Sequence, residues 1–245
     1  MSIVDIHAHL RRNSDQNLYE YEEQIQDVNK NGITVRLLSS LRGESLHMQN
    51  LAVLEFCKTH REFLPCAVLN PREESCGKEL EWILATGAFP AIELDPLEHG
   101  YIPENEKKLE DIFRACGEKG IVLKLMTGHG DRTHPAQWEY YIRRYPGTRV
   151  VFLHMGGMWD GYSTIDIAKK YENVWLDTSE VFELPLFRYA LRNVPVERIL
   201  FGSGFPERFT ECSISFFREF QELSEADHKK ILSENAVRLL GTETR

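Results

Sequence analysis

Short apolar runs rich in β-formers alternate along this chain with longer stretches in which apolar residues recur at helical spacing. Eight short runs read as strands: Ile3–His7, Thr34–Ser39, Phe63–Leu69, Ala91–Leu94, Ile121–Met126, Val150–His154, Val174–Asp177 and Ile199–Gly202. The longer stretches between them read as helices over Tyr19–Asn31, Ser45–His60, Lys78–Thr86, Glu106–Lys119, Pro135–Tyr145, Ser163–Tyr171 and Pro185–Asn193. In one of these, Leu109, Ile112, Phe113 and Cys116 line a single face with charges between them. Gly32, Gly87, Gly120 and Gly147 stand where helices are expected to stop before the next strand. Two further helices, Ser213–Glu222 and Glu225–Leu240, close the chain. Eight strand-then-helix units predict an α/β fold, a single (β/α)8 TIM barrel over residues 1–245 with extra C-terminal helices. No GxGxxG follows the first strand, so a dinucleotide-binding open sheet is not supported.

Composition narrows the function classes. The 245 residues are 42% hydrophobic and 27% charged, with a net charge of −9, and an acidic chain without a basic tract is a poor partner for nucleic acid or an anionic membrane. No apolar run is long enough to span a bilayer. The start, MSIVDIHAHL, lacks the pattern of a secretory signal, and the five scattered cysteines never form a CxxC pair. Reduced thiols in a cytoplasmic protein are therefore expected. The expected partners are a small-molecule substrate and a second copy in a homodimer.

In such a barrel the chemistry sits at the C-terminal strand tips. Strand side chains repeat every two residues, so His7 and His9 face one way and suit a divalent metal. By the same parity Glu93 pairs with Asp95, and Lys124 with Met126; a buried Lys–Glu ion pair is the plainer reading of those charges. His154 ends an apolar strand and precedes two glycines, the setting of a general acid/base or a ligand. Asp177 either orients His154 or caps the helix that follows. His129 lies in a loop where it can reach substrate, and Trp159 is a candidate pocket wall. At the last tip, FGSGFP, two glycines stand where a working side chain is expected, with Glu207 three residues beyond Gly204.

Taken together, DIHAHL, AIELDPLEHGY, GIVLKLMTG, YPGTRVVFLHMGG, ENVWLDTS, RILFGSGFP and KILSENAVRLLG resemble the amidohydrolase superfamily, in its amidohydrolase-2 branch of metal-dependent TIM-barrel hydrolases and decarboxylases. The resemblance runs over nearly the whole chain. It implies one divalent metal, usually zinc, held by the HxH pair, a strand-5 His and a strand-8 Asp, with the strand-6 His assisting. His7, His9 and His154 match that pattern. Met126 stands at the strand-5 His, Gly204 at the strand-8 Asp, and Glu93 and Asp95 at the Lys and His of GIKLHP. The resemblance thus implies hydrolysis of an amide, ester or lactone, or decarboxylation, of a small organic acid at a rebuilt site. In that site His7, His9, His154 and Glu93 hold zinc, His154 and Glu93 carry the chemistry, and Asp95, Lys124, Met126, His129, Trp159, Asp177, Gly204 and Glu207 contact substrate. The alternative is a catalytically degenerate, metal-free relative that binds a small molecule or a protein.

Overall fold

Eight of the apolar runs form one parallel sheet rolled into a barrel. The computed structural model describes residues 2–13 and 18–241. Its strands are β1 (Val4–His9), β2 (Arg12–Asn13), β3 (Leu18–Tyr19), β4 (Val35–Ser39), β5 (Phe63–Val68), β6 (Ala91–Leu94), β7 (Val122–Leu125), β8 (Val150–Phe152), β9 (Val174–Asp177) and β10 (Ile199–Leu200). The sheet runs β1-β4-β5-β6-β7-β8-β9-β10. It closes on itself where Ile6 N donates to Phe201 O (3.0 Å) and His9 N to Phe205 O (2.7 Å). Helices connect successive strands on the outside, which makes the fold a (β/α)8 TIM barrel.

The alternation within each strand separates two apolar cores. Val4, Ile6, Leu37, Cys66, Ala91, Val122, Val151, Leu153 and Leu200 fill the barrel, and Ala236 and Leu239 from the C-terminal helix join them. The opposite faces, such as Leu38, Ala67, Ile92, Leu123 and Phe152, pack outward against the helices.

β1 breaks its own alternation. Asp5 pairs with Arg36 and Ala8 with Leu38, so three steps on β1 oppose two on β4, a β-bulge. Strict parity from Val4 and Ile6 would turn His7 out toward the helices. The bulge resets the phase, so Ile6 lies in the barrel core and His7 and His9 both line the mouth. Behind β1, Asp5 accepts from Arg36 Nε (2.8 Å), Ser203 N (2.9 Å) and Ser203 Oγ (2.6 Å). Arg36 reaches on to Gln24 (3.0 Å), Asp27 (2.6 Å) and Thr210 (3.3 Å). This buried network fixes the FGS segment against β1.

Several expected boundaries shift. The β2–β3 hairpin precedes the first helix, Tyr21–Asn31, and has no counterpart among the expected strands. Gly147 caps nothing: the helix before it ends at Arg144 with Tyr145 as its cap, whereas Gly32, Gly87 and Gly120 do close theirs in the left-handed conformation. The helix expected from Ser163 begins at Gly157, and the one expected from Ser213 begins at Thr210. The final helix is interrupted by a π-turn over Lys230–Glu234. His154 is not a strand residue. β8 ends at Phe152, and His154 and Met155 adopt positive φ (62° and 49°). Such a conformation costs a non-glycine residue energy and turns its side chain off the strand's alternation.

Candidate functional site

The strand tips open into a cavity of about 630 Å3. His7, His9, Asp95, Met126, His129, His154, Gly204 and Glu207 line it, all of them expected from the sequence. Glu93 sits just beneath, where it meets His9. Lys124 and Asp177 are fully buried under this floor and line no part of the cavity, so they support the site instead of touching substrate. Trp159 is misplaced by the sequence reading. Its side chain is 74% exposed on the helix that begins at Gly157, outside the cavity lining.

Two side-chain clusters occupy the floor. In the first, Glu93 Oε1 lies 2.8 Å from His9 Nε2. Its other oxygen, Oε2, accepts from Ser39 Oγ (2.7 Å) and Lys124 Nζ (3.0 Å) and lies 3.9 Å from His7 Nδ1. Burial pushes the Glu93 carboxyl up, but the Lys124 ammonium and then His9 outweigh it and hold it well below the usual range. Burial, then Lys124, lower His7 and keep it neutral. Burial also lowers His9, but the Glu93 carboxylate overrides that and raises it. Both ring nitrogens of His7 are buried with no hydrogen-bond partner. An unpaired buried nitrogen is costly and rare in a native fold. The ligand atoms of His7, His9 and Glu93 lie within 4.8 Å of one another. Two imidazoles and a carboxylate are a donor set of catalytic zinc sites, so these residues fit a divalent ion.

The second cluster surrounds His154. Its backbone N donates to Asp177 Oδ2 (3.0 Å), and its Nδ1 lies 2.8 Å from Ser179 Oγ. Ser179 in turn donates to Asp177. Because that hydroxyl proton goes to Asp177, Nδ1–H of His154 donates to Ser179, which leaves Nε2 as the nitrogen with the lone pair. Burial lowers His154 to about 4 and raises Asp177 to about 7. Asp177 therefore orients His154, and the helix-cap alternative falls away. Beside them His129 Nε2 meets Glu180 Oε2 (2.9 Å), which raises His129. Glu180 also pairs with Arg208. Burial opposes its ionisation, but His129 outweighs burial and Glu180 is drawn down to about 2. His129, His154 and Glu180 are likewise within metal-ligand reach of one another. Here, though, His129, Glu180 and Arg208 already satisfy each other.

Ser39, Glu180 and Arg208 were not singled out from the sequence. Glu180 follows directly on DTS at a strand tip, and that position was its only signal. Asp95 spends its carboxylate on the helix Pro96–His99, accepting from Leu97 N and Glu98 N.

The two glycines of FGSGFP answer to different neighbours. A Cβ on Gly202 would fall 2.1 Å from Oδ1 of Asp177, so the strand must be bare there for Asp177 to reach His154. Gly204 has φ +69°, and a Cβ on it would lie 3.1 Å from Cγ of Arg208. Arg208 thus occupies the space a strand-8 carboxylate would enter. We expect Gly204→Asp to change metal affinity by less than threefold, because the new carboxylate pairs with Arg208 and a positive φ strains it. A tenfold gain in a calorimetric zinc titration would show instead that the position still faces the metal.

The fold has known counterparts. Among solved structures, the chain superposes on a putative amidohydrolase from Staphylococcus aureus with a TM-score of 0.79 at 16% identity, covering 98% of this chain and 100% of that one. It superposes on a Polaromonas dihydroxybenzoic acid decarboxylase, solved with bound manganese and the inhibitor 2-nitroresorcinol, with a TM-score of 0.77 at 15% identity, covering 98% and 97%. A curated relative, Decarboxylase orsB of Emericella nidulans, is 26% identical over 117 residues; the match spans 40% of this chain but only 35% of that protein. The amidohydrolase family model matches residues 4–242, from β1 to the end of the last helix, and this chain belongs to the amidohydrolase family.

Proposed function

We propose that this chain is a metal-dependent hydrolase or decarboxylase acting on a small organic acid. One observation carries the reading. A His7–His9–Glu93 donor set and a separately held base, His154, converge on the floor of one cavity, under a rim that includes Arg11, Arg12, Arg42 and Arg208. Guanidinium groups suit a carboxylate, and the buried Nε of Arg12 has no partner of its own. The known activities of its relatives, decarboxylation among them, support the same class.

The metal is a divalent ion on His7, His9 and Glu93, with zinc and manganese the ions to test; the Polaromonas relative carries manganese. When bound, such an ion polarises a substrate oxygen or lowers the pKa of a bound water. The rest falls to the chain's own residues. Arg12, with its unpaired Nε, orients the substrate acid. His154, neutral at pH 7, accepts a proton at Nε2 while Ser179 and Asp177 hold its tautomer and ring. In hydrolysis that proton comes from the attacking water and passes to the leaving group. In decarboxylation it comes from an acidic group of the substrate and passes to the carbon that loses CO2. Met126 supplies an apolar wall. We also read residues 1–245 as one domain in a reducing cytoplasm, which Cys57, Cys66, Cys76 and Cys116, buried as free thiols, support.

One observation favours a second reading, a metal-free small-molecule binder: Met126 and Gly204 replace two metal ligands of the family pattern. His7→Ala separates the two. The His7 ring makes no hydrogen bond but packs buried against His9 and His154, so its loss should lower the melting temperature by several degrees while leaving the barrel folded. Metal affinity should fall at least a hundredfold, with CO2 release or hydrolysis lost across a panel of small acids. Unchanged metal stoichiometry in that variant would remove the metal assignment.

A further inference from the structure

One buried cation has no place in the reading above. Lys124 points inward from β7, in phase with Val122 and Met126, and is fully buried beneath the cavity floor. It touches neither the cavity nor solvent. Its hydrogen bond is to Oε2 of Glu93, at 3.0 Å, while the same carboxylate turns its other oxygen to His9 and lies beside His7. The carboxylate that a divalent ion would share is therefore already neutralised. Lys124 thus gives the Glu93 carboxylate a buried cationic partner at hydrogen-bond distance that does not depend on a metal.

We infer that Lys124 is a built-in counter-ion that competes with the metal for Glu93, so that the divalent ion is held loosely and exchanges with solution instead of residing permanently. The inference rests on His7, His9 and Glu93 being the metal's ligands. A divalent ion on Glu93 would sit within a few ångströms of the ammonium, with no water between to screen the repulsion. The plain alternative is a buried ion pair that serves stability alone. The two differ in what happens when the ammonium is removed. A purely structural lysine leaves metal affinity unchanged. A competing one leaves a carboxylate that binds the ion more tightly and needs it more.

The test uses the full chain, stripped with chelator and titrated separately with zinc and manganese chloride by calorimetry, with thermal melts in parallel. Wild type should bind weakly, and its melting temperature should hardly respond to metal. Lys124→Met should bind at least tenfold more tightly, melt lower than wild type in chelator, and recover when metal is added. An affinity within threefold of wild type, or a melting temperature that metal does not restore, would overturn the inference. A measurement on wild type alone guards against a variant that fails to fold. Zinc should pass from the loaded protein to a chelating dye within seconds to minutes, and a transfer taking hours would overturn it as well. Loss of the metal assignment has a different signature: His7→Ala would bind metal as wild type does. If His7→Ala abolishes binding and Lys124→Met does not tighten it, only the competition is wrong.

Discussion

Glu93→Ala should lower the melting temperature by roughly 6–20 °C and remove metal binding with it. The carboxylate is buried and faces two positive or protonatable partners, Lys124 and His9, with Ser39 as a third donor. Truncating it strands the Lys124 ammonium in the protein interior. Breaking one side of a buried ion pair typically costs about 3–5 kcal/mol, which for a chain of this size gives that range of melting temperature. Metal binding fails because the donor set loses its anionic member. A second substitution isolates the cause: Glu93→Gln with Lys124→Met removes both charges at similar volume. It should recover most of the stability without recovering metal binding. Thermal melts of the single and double variants decide the matter. A single variant that loses less than about 1 kcal/mol would show that Lys124 is solvated or paired elsewhere.

Arg36→Ala should cost a similar amount, about 3–5 kcal/mol, through a different part of the fold. The guanidinium is fully buried behind β1 and β4 and donates to Asp5, Gln24, Asp27 and Thr210. Its removal leaves Asp5 and Asp27 as buried carboxylates without their cation. Asp5 also holds both the backbone and the hydroxyl of Ser203. The loss should therefore spread to the FGSGFP segment and loosen the site from behind. Denaturant unfolding measures the stability, and hydrogen exchange at residues 201–205 reports the local effect. Unchanged protection there would confine the network to a purely outer role.

How far the sequence carries differs between the fold and the site. The barrel was legible because it depends on local periodicity. Eight apolar runs with alternating faces, separated by amphipathic helices, leave little choice of architecture, and the strand-tip rule then lists the chemistry-bearing residues. His7, His9, Asp95, Met126, His129, His154, Gly204 and Glu207 all lie at or just beyond those tips and line one cavity. The Lys–Glu pair was also legible, since Glu93 and Lys124 face inward from strands expected to be neighbours.

What stayed hidden depends on departures from periodicity and on contacts between distant segments. The bulge between Asp5 and Ala8 lies in the pairing of β1 with β4, and no residue of DIHAHL announces it. The positive φ of His154 comes with a hydrogen bond from its backbone N to Asp177, 23 residues away. Gly202 is bare because Asp177 needs the room, and the space beside Gly204 is taken by Arg208 held on Glu180. Trp159 follows just beyond a strand tip in sequence, but its side chain is exposed on a helix in space. The sequence alone determined which strand tips carry the chemistry, because the order of strands and helices follows from local periodicity. Only the tertiary structure decided how their charges are paired, because each carboxylate's partners come from different strands and loops brought together by barrel closure.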